Sequence, residues 1–280
     1  MDSLVSTEWL AGEIGASDLR ILDASYHLAD TGRDAAAEYL SAHIPGAIFL
    51  DLAGFADPAS PIENTMPQAD RLAERLQHLG IGDGDRVVVY DDSAIKSATR
   101  AWYMLKMFGA RQVAVLDGGL AKWKAEGRPL ASDGAVLPAG KFTARPDDTK
   151  LRAKADVLAN LDTRREQVVD ARGVRRFTGE EQETRPGIAS GHIPGSRNLH
   201  YARLYNPDGT FKPKAELQAA FGDAGVDLTR PVVTSCGSGM TACVLAFALH
   251  LIGKDDVALY DGSWTEWGAA PVTPKATGPA

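Results

Sequence analysis

Cys236 ends an apolar run, Val232-Val233-Thr234-Ser235, and is followed by Gly237-Ser238-Gly239-Met240-Thr241 before an apolar stretch from Ala242 to Ile252. This reads as a strand, a glycine-rich loop and a helix, and open α/β sheets bind ligands at the carboxyl ends of their strands. Two glycines in three positions let the backbone take positive φ, so that successive N–H groups turn inward as an anion-binding nest. The positive end of the following helix adds to them. Together they favour the thiolate, the nucleophilic form of cysteine, with no histidine needed beside it in sequence. An anion held here would use the loop N–H groups of Gly237, Gly239, Met240 and Thr241, together with the hydroxyls of Ser238 and Thr241. The same residues also suit a buried structural cysteine at a turn, and both readings stand on the loop alone.

The loop also excludes some chemistry. A cysteine phosphatase needs a bidentate cation six residues after its nucleophile to clamp phosphoryl oxygens, and that position is Ala242. Cys243, seven residues on, lies beyond disulfide reach if the segment is helical, at a rise of ~1.5 Å per residue. It is expected to fill a core.

The elements that must position this loop occur twice. His43-Ile44-Pro45-Gly46 recurs as His192-Ile193-Pro194-Gly195, and Ile21-Leu22-Asp23-Ala24 as Val168-Val169-Asp170-Ala171. Leu116-Asp117-Gly118-Gly119 returns as Tyr260-Asp261-Gly262-Ser263, and Trp123 as Trp267, all at offsets of 144 to 149 residues. Four echoes in one order point to a duplication. In the first copy a strand over 86–90 precedes a helix over 97–108 and a strand over 113–116. In the second a strand over 231–235 precedes a helix over 240–252 and a strand over 257–260. Near-continuous apolar strands alternating with helices predict an α/β fold, made twice, each copy a mostly parallel sheet flanked by helices. The expected boundaries are an N-terminal domain over 1–130, a linker over 131–154 and a C-terminal domain over 155–280. The proline-rich tail from Pro271 is expected to trail over the surface.

Composition narrows the partners. The 280 residues suit two domains better than one core, and 44% hydrophobic with 24% charged residues is ordinary globular composition. The longest unbroken apolar run is Ala242 to Leu249, far short of the ~20 residues that cross a bilayer. A net charge of −7 argues against nucleic acid as a partner. Two cysteines form neither a disulfide scaffold nor a four-ligand zinc site and suggest a reducing compartment. The N-terminal stretch carries no basic leader, so the expected location is the cytoplasm, with no membrane partner.

Cys236-Gly237-Ser238-Gly239-Met240-Thr241-Ala242 resembles the rhodanese family of sulfurtransferases, and within it the branch that acts on 3-mercaptopyruvate. That branch typically has valine where this chain has Met240. The resemblance takes in both His-Ile-Pro-Gly segments, Val169-Asp170-Ala171-Arg172 and the run from Tyr260 to Trp267. It implies two tandem rhodanese-like domains of which only the C-terminal one is catalytic, and Asp91 stands where the first copy would need a cysteine. It also implies a substrate-carboxylate clamp of two arginines nine positions apart, matched by Arg176 and Arg185. Without the resemblance these would be surface arginines offsetting Glu180, Glu181 and Glu183. Thiosulfate-specific members carry Arg and Lys directly after the nucleophile. Gly237 and Ser238 supply less positive charge and favour a donor with a single carboxylate.

The implied chemistry is sulfur transfer through a Cys236 persulfide, with pyruvate released, Ser238 helping to supply a proton, and a thiol such as thioredoxin, or cyanide, as acceptor. No metal or organic cofactor is implied. Where some relatives offer a histidine and an aspartate to that serine, ungapped matching gives Asn64 and Ala53, and neither can relay a proton. His43 and His192 are expected to serve their turns. The rivals are a thiosulfate:cyanide sulfurtransferase and a weakly active two-domain persulfide carrier or binding module, with phosphate-ester hydrolysis a weaker third.

Overall fold

The computed structural model describes residues 1–134 and 137–280. Residues 135 and 136, inside the expected linker, lie outside the described residues. The chain divides into two compact units. The first comprises Met1–Asp57, Met66–Asp147 and Pro207–Phe211, and the second Pro58–Thr65, Asp148–Asn206 and Lys212–Ala280.

The first unit holds β1 (Leu4–Val5), β2 (Leu19–Asp23), β3 (Ala47–Phe49), β4 (Arg86–Tyr90) and β5 (Gln112–Leu116). The second holds β6 (Leu151–Arg152), β7 (Gln167–Asp170), β8 (Arg197–Asn198), β9 (Val232–Ser235) and β10 (Val257–Tyr260). Each set makes one five-stranded sheet, in the orders β1-β5-β4-β2-β3 and β6-β10-β9-β7-β8. Among the described residues, the strands within both sheets pair in parallel throughout. The topology is the same twice, as the sequence echoes require.

The central strands are apolar on both faces because helices cover both sides. Val87 to Tyr90 and Val232 to Ser235 are all buried. After β9 comes the helix Ala242–Leu251, buried from Ala242 through Leu249 and packed on β9 and β10. A helix apolar all round belongs in a core. It starts two residues later than the spacing predicts. Met240 and Thr241 form a tighter turn instead, with the Cys243 and Val244 N–H groups donating to their carbonyls at 3.1 Å each.

Both His-Ile-Pro-Gly segments are turns that need glycine, with φ of +77° at Gly46 and +76° at Gly195. Each histidine is buried and tied to its own unit. His43 Nδ1 meets the Tyr39 carbonyl at 2.7 Å and His192 Nδ1 the Phe177 carbonyl at 2.9 Å, and each ring stacks on the same partner.

The tail from Pro271 does run over the surface, with Pro271, Val272, Pro274 and Pro279 exposed, but it is pinned there. His192 and Ala276 pair in an antiparallel bridge, Trp267 Nε1 donates to the Pro274 carbonyl at 2.8 Å, and Thr273 is buried. The first unit repeats the device, with a His43–Ala131 bridge and Trp123 Nε1 on the Pro129 carbonyl at 2.7 Å. Prolines leave such segments without regular structure, but backbone pairing and an indole N–H still fix them. Among the described residues no helix is long and apolar enough to cross a membrane.

Asp91 follows β4 as Cys236 follows β9. The Leu120 N–H donates to the Asp91 carbonyl at 3.0 Å, just as the Trp264 N–H donates to that of Cys236. The Asp91 carboxyl accepts from the Ala98 and Ser93 N–H groups at 2.6 and 3.2 Å and so ties down its own loop. Burial is the largest influence on it and raises its pKa to about 6. The stability it contributes is complete below about pH 4, its unfolded value, and is lost as pH rises through about 6. Asp91→Asn cannot ionise. The difference in melting temperature between variant and wild type should therefore move in the variant's favour from about pH 4 to pH 7. A pH-independent difference would contradict this.

Candidate active site

The loop after β9 is held by the start of the helix Ser263–Ala269. The Cys236 N–H donates to Ser263 Oγ at 3.1 Å, and the Cys236 carbonyl accepts from the Trp264 N–H at 3.0 Å. The Gly237 carbonyl accepts from both the N–H and the hydroxyl of Thr265, at 2.9 and 2.7 Å. Of the two loop glycines only Gly239 takes positive φ, +78°. The expectation that both would do so is corrected. The Cys236 N–H is already taken by Ser263, so N–H groups for an anion must come from later in the loop.

Cys236 is buried, 1% exposed, whereas Gly237, Ser238 and Thr241 are partly open. Met240 has its side chain in the core, and the Gly239 carbonyl accepts from the Cys243 thiol at 3.3 Å. Cys243 is fully buried, in keeping with a packing role. Ser238 Oγ lies 3.5 Å from Asn64 Nδ2, and the segment Pro58–Thr65 belongs to this unit. An amide N–H donates and cannot take a proton, so this long contact leaves the serine hydrogen available to a ligand. Ala53 is on the helix Leu52–Phe55 of the other unit.

Arg176 lies on the short helix Val174–Thr178, and Arg185 on the loop beyond it. Arg176 Nη2 is 3.9 Å from where a Cβ on Gly237 would sit. Arg185 Nη1 donates to Thr265 Oγ1 at 2.6 Å, and that hydroxyl donates to the Gly237 carbonyl. Both arginines therefore reach the cysteine loop. They share one carboxylate: Glu183 accepts from Arg185 Nε and Nη2 at 2.8 Å each and from Arg176 Nη2 at 3.2 Å. The Glu183 side chain is 7% exposed, and its own N–H donates to Ser190 Oγ at 2.8 Å. The Arg185 hydrogen bonds hold its carboxyl down to about 2, against a smaller opposing effect of burial. The Arg185 pKa is raised, first by Glu183, with a smaller contribution from the Cys236 sulfur.

Beneath the site, Arg172 pairs with Asp170 at the end of β7 at 2.7 Å, donates to the Gly191 carbonyl at 2.8 Å and lies over the Trp264 ring at 4.6 Å. This joins the β7 end, the His-Ile-Pro-Gly turn and the helix that holds the cysteine loop.

The structure thus gathers Cys236, Gly237, Arg176 and Arg185, with Ser238 beside Asn64. Sequence reasoning missed Glu183, Ser263 and Thr265. Glu183 stands two residues before Arg185, and the other two fall in the Tyr260–Trp267 run that the resemblance already covers.

A family model for the rhodanese-like domain matches residues 6–126 and again 153–270. The chain belongs to the rhodanese family. Among rhodanese relatives, the 3-mercaptopyruvate sulfurtransferase of Homo sapiens is 41% identical over 95% of this chain and 91% of its own length. The thiosulfate sulfurtransferase of Cricetulus griseus is 42% identical over the same shares. In structure, this rhodanese chain matches that of SseA, a 3-mercaptopyruvate sulfotransferase from Escherichia coli. The TM-score is 0.86 at 36% identity, covering 94% of this chain and 99% of that one.

Proposed function

We propose that the second unit is a sulfurtransferase centre that takes sulfur from 3-mercaptopyruvate onto Cys236 and passes it to a thiol or to cyanide. The observation that carries this reading is the pair of arginines, braced by Glu183, reaching the loop of a buried cysteine. Arg185 has three N–H groups engaged, two on Glu183 and one on Thr265. Of the five that a guanidinium carries, two remain for a carboxylate.

With the donor's carboxylate and carbonyl on Arg176 and Arg185, the Cys236 thiolate attacks the donor sulfur. The sulfur–carbon bond breaks, its electron pair passes to carbon as pyruvate enolate, and the sulfur, still carrying its hydrogen, becomes the outer atom of a persulfide. Ser238, or a water it orients, delivers the proton that turns enolate into pyruvate. Loop N–H groups and the Ser238 and Thr241 hydroxyls stabilise the persulfide. An acceptor thiolate, such as that of thioredoxin, then attacks the outer sulfur and restores the Cys236 thiolate. In the first unit Asp91 offers no sulfur, so that copy is the silent one. The cytoplasm remains the proposed location.

The relative named for thiosulfate favours a second donor, with the same persulfide. Comparing kcat/KM for the two donors with cyanide as acceptor tests the choice. Preference for 3-mercaptopyruvate of about tenfold or more is expected, and preference for thiosulfate would overturn it.

A further inference from the structure

The two arginines do not present two positive charges. Glu183 lies against both and is nearly covered, so the cluster carries one net positive charge where a donor anion must dock. Glu63 is the other carboxylate paired with Arg185, 3.9 Å from Nη1, but its side chain is 58% exposed and screened by water. Glu180 and Glu181 are exposed as well. A buried charge acts on a docked ion far more strongly than an exposed one does.

We propose that Glu183 is a specificity-determining residue, setting the cluster to one positive charge so that monoanionic sulfur donors are accepted and dianionic ones disfavoured. This rests on the sulfurtransferase reading above. A monoanion meets one complementary charge. A dianion such as thiosulfate feels the Glu183 repulsion twice over, beside a thiolate nucleophile that repels it further. Sequence reasoning attributes donor choice to Gly237 and Ser238 alone, and the structure adds a carboxylate behind the clamp. Glu183 is a positioning residue too, since it fixes both guanidinium planes, and positioning alone would raise or lower both donors together.

The test is the ratio of kcat/KM for thiosulfate to that for 3-mercaptopyruvate in wild type, Glu183→Gln and Glu63→Gln. Glu183→Gln should raise the ratio about tenfold, equivalent to about 1.4 kcal/mol. Glu63→Gln should change it less than about twofold, as a screened charge does. An unmoved ratio in Glu183→Gln, with 3-mercaptopyruvate still used, overturns the inference but leaves the sulfurtransferase reading intact. An equal shift in both variants also overturns it. Wild type inactive with either donor overturns the reading itself. If Glu183→Gln does not fold, inhibition of the wild type at constant ionic strength decides: pyruvate should inhibit more strongly than sulfate, and the reverse order overturns the inference.

Discussion

Cys236→Ser is expected to lower sulfur transfer from 3-mercaptopyruvate by at least about 10³-fold while leaving the fold in place. A serine hydroxyl is a far weaker nucleophile at neutral pH and forms no persulfide. The groups that fix the loop do not involve the thiol. The Cys236 N–H bonds Ser263, its carbonyl bonds Trp264, and the Gly237 carbonyl bonds Thr265. The unfolding free energy should therefore change by less than about 1 kcal/mol. Steady-state kinetics with a thermal melt on one sample separates the two effects. Transfer surviving within about tenfold would mean that Cys236 is structural and would favour the binding-module reading.

Arg185→Ala is expected to lower kcat/KM for 3-mercaptopyruvate by about 10²- to 10³-fold, because truncating one partner of a hydrogen-bonded charge pair strands the other. The carboxylate loses its main anchor. Glu183, nearly covered, keeps only the 3.2 Å bond to Arg176 among its cations, which should cost roughly 2 kcal/mol of stability given that Arg185 is itself a third exposed. The sign of the pH effect follows. The Glu183 pKa, depressed to about 2, contributes stability present above its unfolded value near 4.5 and lost as pH falls towards 2. In Arg185→Ala that acid sensitivity shrinks. Arg185→Lys should recover more stability than activity, since an ammonium restores charge without the planar fork. Donor kinetics and melts at pH 3 to 7 check each statement. A kcat/KM within about threefold of wild type would remove Arg185 from the site.

The cysteine loop was legible because strand, thiol, glycines and helix follow one another in sequence, and the repeat was legible because its echoes keep order and spacing. Arg176 and Arg185 became legible only through the family resemblance. Nine residues across a short helix and a loop carry no periodicity that would bring two guanidinium groups together. Glu183 was hidden for a related reason: beside Glu180 and Glu181 it reads as a solvated acid until the backbone turns it under the two arginines. The grouping of Pro58–Thr65 with the second unit crosses chain order, so no boundary signal records it. The surface course of the tail was legible from its prolines, but its pinning was not, because its bonds run to a turn about 80 residues earlier.

The central claim is that sulfur resides on Cys236 during turnover. Intact-mass and peptide mapping of the wild type, quenched after mixing with 3-mercaptopyruvate and no acceptor, measures this directly. The expected result is one added sulfur atom on the Cys236 peptide, pyruvate formed in equal amount, and loss of the adduct when a thiol or cyanide is added. Pyruvate formed while Cys236 stays unmodified, or an adduct found on Cys243 instead, would contradict the account.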